Sequence, residues 1–360
     1  MKVKLGDLTK IKTGKLDANA SSEDGQYPFF TCSREPLKIS NYSYDCECVL
    51  VAGNGDLNVK YYNGKFDAYQ RTYIIEDNSG GQLYMPYLYY FMEGYIKELR
   101  RQAIGGVIKY IKLGNLTDAL IELPSVDAQK KIVNILKKAK QLLSLSNNEI
   151  LKLDELVNAR FVEMFGNPVS NPYGWKKVKL SELGTLARGK SKHRPRNAPE
   201  LLGGPYPLIQ TGDVAAAGLY ITECHNTYSE LGLRQSMMWK AGTLCITIAA
   251  NIAQTAIMTF DACFPDSVVG FVPVTYIGAV YMHYWFSFFQ KILEEQAPQV
   301  AQKNINLQIL SDLSVIVPPQ ERISAFNDFV WQVNKSKVAI QKSLDETQLL
   351  FDSLMQKYFK

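Results

Sequence analysis

The sequence is short of histidine, poor in cysteine and close to charge balance, and each shortage removes a class of function. The three histidines, His193, His225 and His283, stand far apart, which argues against a histidine-based zinc site. The six cysteines, Cys32, Cys46, Cys48, Cys224, Cys245 and Cys263, include no C-x-x-C pair and read as small thiols of a reducing compartment. Net charge is only +5, which permits a polyanionic partner without demanding one, so the placement of the basic residues must decide. No apolar signal core follows the first methionine, and a cytoplasmic location is expected. One stretch, 267–290, lacks any charged residue and is long enough to span a bilayer. Gly270, Pro273 and Gly278 interrupt it, so it reads as a buried strand, 267–275, and a helix, 279–296. Neither a nucleophile–base pair, nor paired carboxylates, nor a metal cluster stands out, which favours a binding protein without its own active site.

What the chain does have is length for two domains, 46% apolar residues and an internal duplication. Lys2-Val3-Lys4-Leu5-Gly6-Asp7-Leu8 recurs as Lys177-Val178-Lys179-Leu180-Ser181-Glu182-Leu183, and Gly14-Lys15 recurs as Gly189-Lys190. Tyr84-Met85-Pro86-Tyr87 aligns with Tyr281-Met282-His283-Tyr284. Ile111, Leu113, Leu116, Asp118 and Pro124 recur 194 positions later as Ile305, Leu307, Leu310, Asp312 and Pro318. Gln129-Lys130-Lys131-Ile132 then matches Gln320-Glu321-Arg322-Ile323. Two copies of one unit follow, joined by the helix breakers of Gly166-Asn167-Pro168 and Asn171-Pro172-Tyr173-Gly174.

Each copy opens with short β-rich runs, such as 48–52, 69–76, 243–249 and 268–275, and closes with a long helix. In copy two, Ile323, Phe326, Val330, Val333, Lys337, Ile340, Leu344, Thr347, Phe351, Leu354 and Tyr358 recur three and four apart, a coiled-coil stripe. Aligned with it, copy one gives Ile132, Ile135, Ala139, Leu142, Ser146, Glu149, Leu153 and Leu156, weaker near Asn147-Asn148, where a bend is expected. The second helix buries its stripe most simply by running back along the first. The expected fold is α+β: two β-rich globular domains separated by a long antiparallel coiled-coil helix pair, related by a pseudo-two-fold internal repeat. The corresponding segments are 1–127 (first domain), 128–165 (central helix), 166–175 (linker), 176–320 (second domain) and 321–360 (C-terminal helix).

Two similar domains held a fixed distance apart suit duplex DNA, whose groove edges repeat about every 34 Å. Arg188, Lys190, Lys192, Arg194 and Arg196 crowd nine residues without an acid, with His193 among them. Pro195 and Pro199 keep this stretch extended, so that it can neutralise phosphates. The aligned part of copy one has only Lys10, Lys12 and Lys15, and its further candidates are Arg34, Lys38, Lys60, Arg71 and Lys109. Arg234 and Lys303 extend the set in copy two. Asn54, Asn58, Gln70, Gln235, Gln254 and Asn304 carry the amides that read adenine edges. Gly184-Thr185-Leu186-Ala187-Arg188-Gly189-Lys190-Ser191 fits the phosphate-binding pattern G-x-x-x-x-G-K-[ST]. That loop needs a helix starting at its Lys-Ser, and the prolines that follow forbid one. Asn171-Pro172-Tyr173 approaches the Asn-Pro-Pro-Tyr element of amino-methyltransferases but reads better as the linker turn.

The order of these segments, duplicated, resembles the DNA-specificity subunit of type I restriction–modification enzymes over essentially the whole chain. The resemblance rests on 3–15 and 178–190, on Leu123-Pro124 with Gln129 to Ile132, on Val317-Pro318-Pro319-Gln320 with Ile323, and on the junction 159–168 followed by Gly174-Trp175. It implies a noncatalytic subunit whose globular parts are target-recognition domains, each reading one half of a bipartite DNA sequence. It implies that the helices set the gap between halves and help dock two copies of a methylation subunit carrying S-adenosylmethionine. A motor–nuclease subunit using ATP and Mg2+ can join such a complex, and no cofactor is expected in this chain. The competing readings are a nucleotide-binding enzyme using 184–191 and a coiled-coil protein–protein scaffold.

Overall fold

The computed structural model describes residues 2–193, 195–249, 252–289, 292 and 305–359. It divides into two compact units, 1–149 with 340–360, and 150–339. Each long helix therefore contributes to both units.

In the first unit, β1 (Lys2–Lys4) pairs with β8 (Leu120–Glu122) in a two-stranded ladder. A six-stranded sheet has the order β2 (Thr9–Thr13), β7 (Thr72–Asp77), β5 (Tyr44–Ala52), β6 (Val59–Ala68), β3 (Tyr27–Phe30) and β4 (Leu37–Ile39). Alternation decides what β5 touches. Val49 and Val51 face the core built with the helix Met85–Gln102, and Cys48 and Leu50 face a second core around Phe30, Phe66 and Ile74. Burial on both faces explains why this strand reads as a continuous apolar run.

The second unit repeats the plan. β9 (Lys176–Lys179) pairs with β19 (Ser314–Val317). The order β10 (Gly184–Arg188), β18 (Val268–Pro273), β15 (Leu244–Thr247), β16 (Thr255–Met258) reproduces β2-β7-β5-β6, and β12 (Tyr220–Ile221) is added at the edge. A four-stranded sheet is built from β13 (Asn226–Tyr228), β11 (Leu202–Leu208), β17 (Ala262–Cys263) and β14 (Met238–Trp239). The duplication extends to individual contacts. Lys4 Nζ lies 2.9 Å from Asp118 and Lys179 Nζ lies 2.7 Å from Asp312. The Tyr87 hydroxyl donates to the Glu122 carbonyl and that of Tyr281 to the Ile316 carbonyl, both pairs 194 positions apart. This corrects the sequence alignment: Tyr281 is the equivalent of Tyr87, not of Tyr84, a slip of three residues that a Tyr-x-x-Tyr pattern on a helix invites.

The first long helix is Val126–Phe165 and the second is Gln320–Phe359. All eleven stripe residues of the second are buried or half-buried. In the first, the seam runs through Leu136, Ala139, Leu143, Ser146, Ile150, Leu153 and Val157, whereas Ile135, Leu142, Glu149 and Leu156 are exposed. The register carried over by alignment is thus one position out at four places, because the alignment fixes sequence correspondence and not the rotation of a helix about its axis. Near Asn147 the helix is continuous, without a break, and the Asn147 amide donates 2.9 Å back to the Leu143 carbonyl. In the second unit the helices run antiparallel, with the Phe161 and Phe326 rings 5.5 Å apart and Lys337 2.6 Å from Asp154. In the first unit Phe351, Leu354, Met355 and Phe359 join the core that holds Val133 and Leu136. The junction 166–175 is a tight turn, in which Asn171 at φ 45° accepts from Trp175 N and donates to its carbonyl.

The uncharged stretch gives the strand Val268–Pro273 and the helix Ala279–Phe286; the remainder of the helix expected to Gln296 falls largely outside the described residues. Among the described residues no helix is long and apolar enough to cross a membrane.

Candidate nucleic-acid interface

In the first unit, backbone hydrogen bonds tie the candidate residues to one end of the six-stranded sheet. Gln70 N donates to Leu16 O, next to Lys15; Gly53 N donates to Arg71 O; Ile111 N donates to Gly53 O; Gly55 N donates to Lys109 O. Asn54 bridges to Tyr110 in the same ladder. Lys15, Arg71 and Lys109 thus share one rim, all exposed, and Gln70 and Arg71 line a 280 Å³ pocket with Thr13, Gly53, Tyr73 and Ile111. Arg34 reaches the same turn by a different route, through Asp56 at 3.2 Å. Arg100, which no local sequence pattern marks, takes the other oxygen of Asp56 at 2.9 Å. The hydrogen bond from Arg34, reinforced by Arg100, holds the Asp56 carboxyl below its usual range, so two cations offset the charge of the one acid of this turn. Lys60 donates to Asn58 Oδ1, and its partial burial lowers its pKa. Asn58 spends its amide on the Cys32 and Asp56 carbonyls, each at 2.8 Å. Of the other lysines, Lys12 pairs with Glu76, while Lys10 and Lys38 are exposed.

The corresponding rim of the second unit is found by the same bonds. Gly14 N donates to Thr72 O and Gly189 N to Val268 O; Gly53 N donates to Arg71 O and Ile248 N to Ser267 O. Gln70 and Arg71 therefore occupy the places of Asp266 and Ser267. Both glycines of the repeated Gly-Lys pairs lie against backbone, since a Cβ at Gly14 would stand 2.1 Å from Ala68 O and one at Gly189 2.2 Å from Phe264 O. Position 266 engages two cations of the basic stretch, one through its backbone carbonyl and one through its carboxylate. The Arg188 guanidinium donates twice to the Asp266 carbonyl, at 2.9 and 2.6 Å, and Arg196 lies 2.5 Å from its carboxylate. Gln235 accepts from Lys192 N at 2.6 Å and His193 N at 3.1 Å, and Ser236 donates to Lys190 O at 2.9 Å. Lys190 and Lys192 remain exposed on the loop, with Arg234 exposed beside Gln235. His193 turns back toward Pro195 O, 3.3 Å away.

Gln254 stands apart from this loop. It lines a 480 Å³ cavity with Asp154, Asn158, Thr255 and His283. The Thr255 hydroxyl lies 3.0 Å from His283 Nδ1, and burial pushes the imidazole down to about 4. Arg194, Lys303 and Asn304 lie outside the described residues. The residues 184–191 form a strand followed by irregular backbone, so no helix begins at Lys190 to present its amides to a phosphate. Among the described residues no group of three or more His, Cys, Asp or Glu is placed to hold a metal ion.

Comparison with known proteins agrees with the duplicated plan. The family model of the type I restriction modification DNA specificity domain matches residues 1–155 and again 172–352. The chain is 42% identical over 154 residues to the type I restriction enzyme EcoDI specificity subunit of Escherichia coli, a match spanning 43% of this chain and 33% of that relative. The chain therefore matches about a third of that relative's length. Its fold is similar to that of the type I restriction–modification S subunit from M. genitalium, with TM-score 0.65 and 15% identity over 100% of this chain and 96% of the other. A structure solved for assembly and conformational transition of the type I R-M system gives TM-score 0.59 and 16% identity over 100% and 97%.

Proposed function

The chain belongs to the type I restriction modification DNA specificity family, and from that premise we propose that it is a noncatalytic sequence-reading subunit. Each unit contacts one half of a bipartite duplex target through its rim: Lys15, Arg34, Lys60, Arg71 and Lys109 in the first, Lys190, Lys192 and Arg234 in the second. Arg188, His193, Arg196 and Gln235 shape the second rim, and Arg194 and Lys303 extend the cationic set. The observation that carries this reading is the recurrence of one strand order, β2-β7-β5-β6 and β10-β18-β15-β16, with exposed cations at the corresponding end of each sheet, Lys15 and Lys190 being equivalent positions and the others differing between the units. Phosphate contacts from such rims supply affinity and register, and amide side chains such as Asn54 and Gln70 supply base contacts.

The long helices set the spacing between the two half-sites and help dock two copies of a methylation subunit. S-adenosylmethionine belongs to that partner, and ATP and Mg2+ belong to a motor–nuclease subunit where one joins. The complex acts in the cytoplasm, where its DNA target is. The test is reconstitution. The chain alone should transfer no methyl group and cut no DNA, and the chain with its methylation subunit should methylate adenine at a split target. Methyl transfer by the chain alone, or methylation by the complex without sequence preference, would overturn the assignment.

A further inference from the structure

One feature of the first rim is not explained by phosphate contact. Residues 104–110 form a short closed finger: Ile104 N donates 3.0 Å to Tyr110 O, and Tyr110 N donates 2.9 Å to Ile104 O. Its tip carries Val107, fully exposed, and Ile108, 62% exposed, with Ile104 at 45% beneath them. The tip is shaped rather than slack. Gly105 holds φ 118°, a conformation that side chains rarely adopt, and a Cβ there would stand 2.6 Å from Ile108 O. Single apolar residues on a surface are ordinary. Two adjacent β-branched residues exposed at the end of a backbone-locked finger are a standing loss of burial that a partner would recover.

The surroundings select the partner. Lys109 and Lys112 flank the tip, and the stretch from Ala103 to Lys112 contains no acid. The finger is anchored to the rim by Gly55 N to Lys109 O and by the Asn54–Tyr110 bridge, and Gly53, next to Asn54, joins it to Arg71. The one acid of the adjoining turn, Asp56, is exposed but paired with both Arg34 and Arg100, so the turn carries a net positive charge. An apolar point within a cationic rim matches a stacked base step between two phosphate strands, where apolar side chains wedge between bases and kink the duplex.

We propose that Val107, supported by Ile108, inserts at a base step of the half-site read by the first unit, and that the bending of that step is part of its sequence selection. The proposal rests on the DNA-reading function above and adds a contact made by neither charge nor amide. In its favour, a step that yields easily to kinking would be preferred beneath the finger without any hydrogen bond to its bases.

The experiment uses the complete complex with its methylation subunit, on duplexes carrying 2-aminopurine in turn at each position of the methylated target and its flanks. Wild type should raise emission severalfold at one position outside the methylated adenine. Val107→Ser with Ile108→Ser should abolish that rise and weaken binding about tenfold, leaving the slope of affinity against salt unchanged. Val107→Phe, which keeps an apolar wedge, should retain the rise. Unchanged emission at every position in the double variant, with wild-type duplex binding intact, would overturn the wedge. So would loss of the methylation subunit from the complex with emission preserved, since the tip would then dock a protein. A wild-type complex with no salt-dependent duplex binding would overturn the DNA-reading function itself, a result distinct from either.

Discussion

Lys337 donates to Asp154 Oδ1 across 2.6 Å, which accounts for the one charged position in the stripe of the second long helix. The stripe places Lys337 against the first helix, where an aliphatic residue would ordinarily pack, and Asp154 on the facing side supplies the counter-charge. Such a pair adds little net stability when partly solvated, but it penalises other registers of the two helices. Asp154→Ala should lower stability by about 1 kcal/mol, because Lys337 is then half-buried without a partner. Replacing both by leucine should restore stability while lowering the cooperativity of unfolding. Denaturant titration of the three variants checks this, and equal midpoints for wild type and Asp154→Ala would remove the role assigned to the pair.

In the second rim Arg188, Lys190, Lys192, Arg196 and Arg234 are all exposed, and they differ in their partners: Arg188 and Arg196 are engaged on Asp266, whereas Lys190 and Lys192 reach Ser236 and Gln235 through their backbone. Alanine at Lys190, Lys192 and Arg234 should reduce the log–log salt slope of DNA binding by roughly 0.9 for each phosphate that is no longer neutralised. Alanine at Asp266 should instead loosen the loop and alter half-site choice with a smaller change of slope. Filter-binding measurements from about 50 to 200 mM salt distinguish the two, since affinity that depends on phosphate neutralisation falls steeply over that range.

Gly14 and Gly189 are places where one strand passes directly over another chain segment. Gly14→Ala or Gly189→Ala should each cost about 3 kcal/mol, since the clash is with backbone that cannot turn aside. Lys15→Ala and Lys190→Ala, one residue on, should leave thermal stability nearly unchanged and affect only DNA binding. Melting curves of the four variants test this contrast.

His283 gives the second unit a pH dependence of defined sign. Burial lowers the imidazole from 6.5 to about 4, although Asp154 opposes the shift. The unfolded chain therefore takes up this proton at higher pH than the folded one. The stabilisation is complete above pH 6.5 and is lost progressively as pH falls from 6.5 to about 4. The loss is on the order of 3 kcal/mol. His283→Gln should flatten the stability profile across that interval; an identical slope in variant and wild type would assign the loss to carboxylates.

The spacing function proposed for the helices predicts the effect of lengthening both. Seven residues inserted after Glu149 and after Ala339, where each helix passes from one unit to the other, keep the apolar stripe in phase. The added length is about 10 Å, or about three base pairs. Methylome sequencing should report the same half-site bases with a gap about three pairs longer, reduced where DNA twists to follow the roughly 100° rotation of the inserted pairs. The old gap, or new half-site bases, would show that the helices do not set the spacing.

Taken residue by residue, the primary sequence was enough for everything that depends on local periodicity or on repetition. It determined the duplication, the long helices, the stripe from Ile323 to Tyr358 and the apolar strand cores, because burial of one face imposes a period of two or three and a half on the residues that face it. It also marked Arg188 to Arg196 as a loop, because prolines and like charges exclude helix and core, although Arg188 itself ends β10. Tertiary structure alone decided which of those cations are engaged, since Asp266 is separated from Arg188 by 78 positions and nothing local joins them. The same holds for Arg34, Asp56 and Arg100, gathered from three separate segments onto one turn. It alone decided the rotation of the first long helix, which put Leu136 and Leu143 inside and Leu142 and Leu156 outside. A helix with apolar residues on more than one face has several rotations of similar hydrophobic merit, and the choice among them is made by the shape of what it packs against.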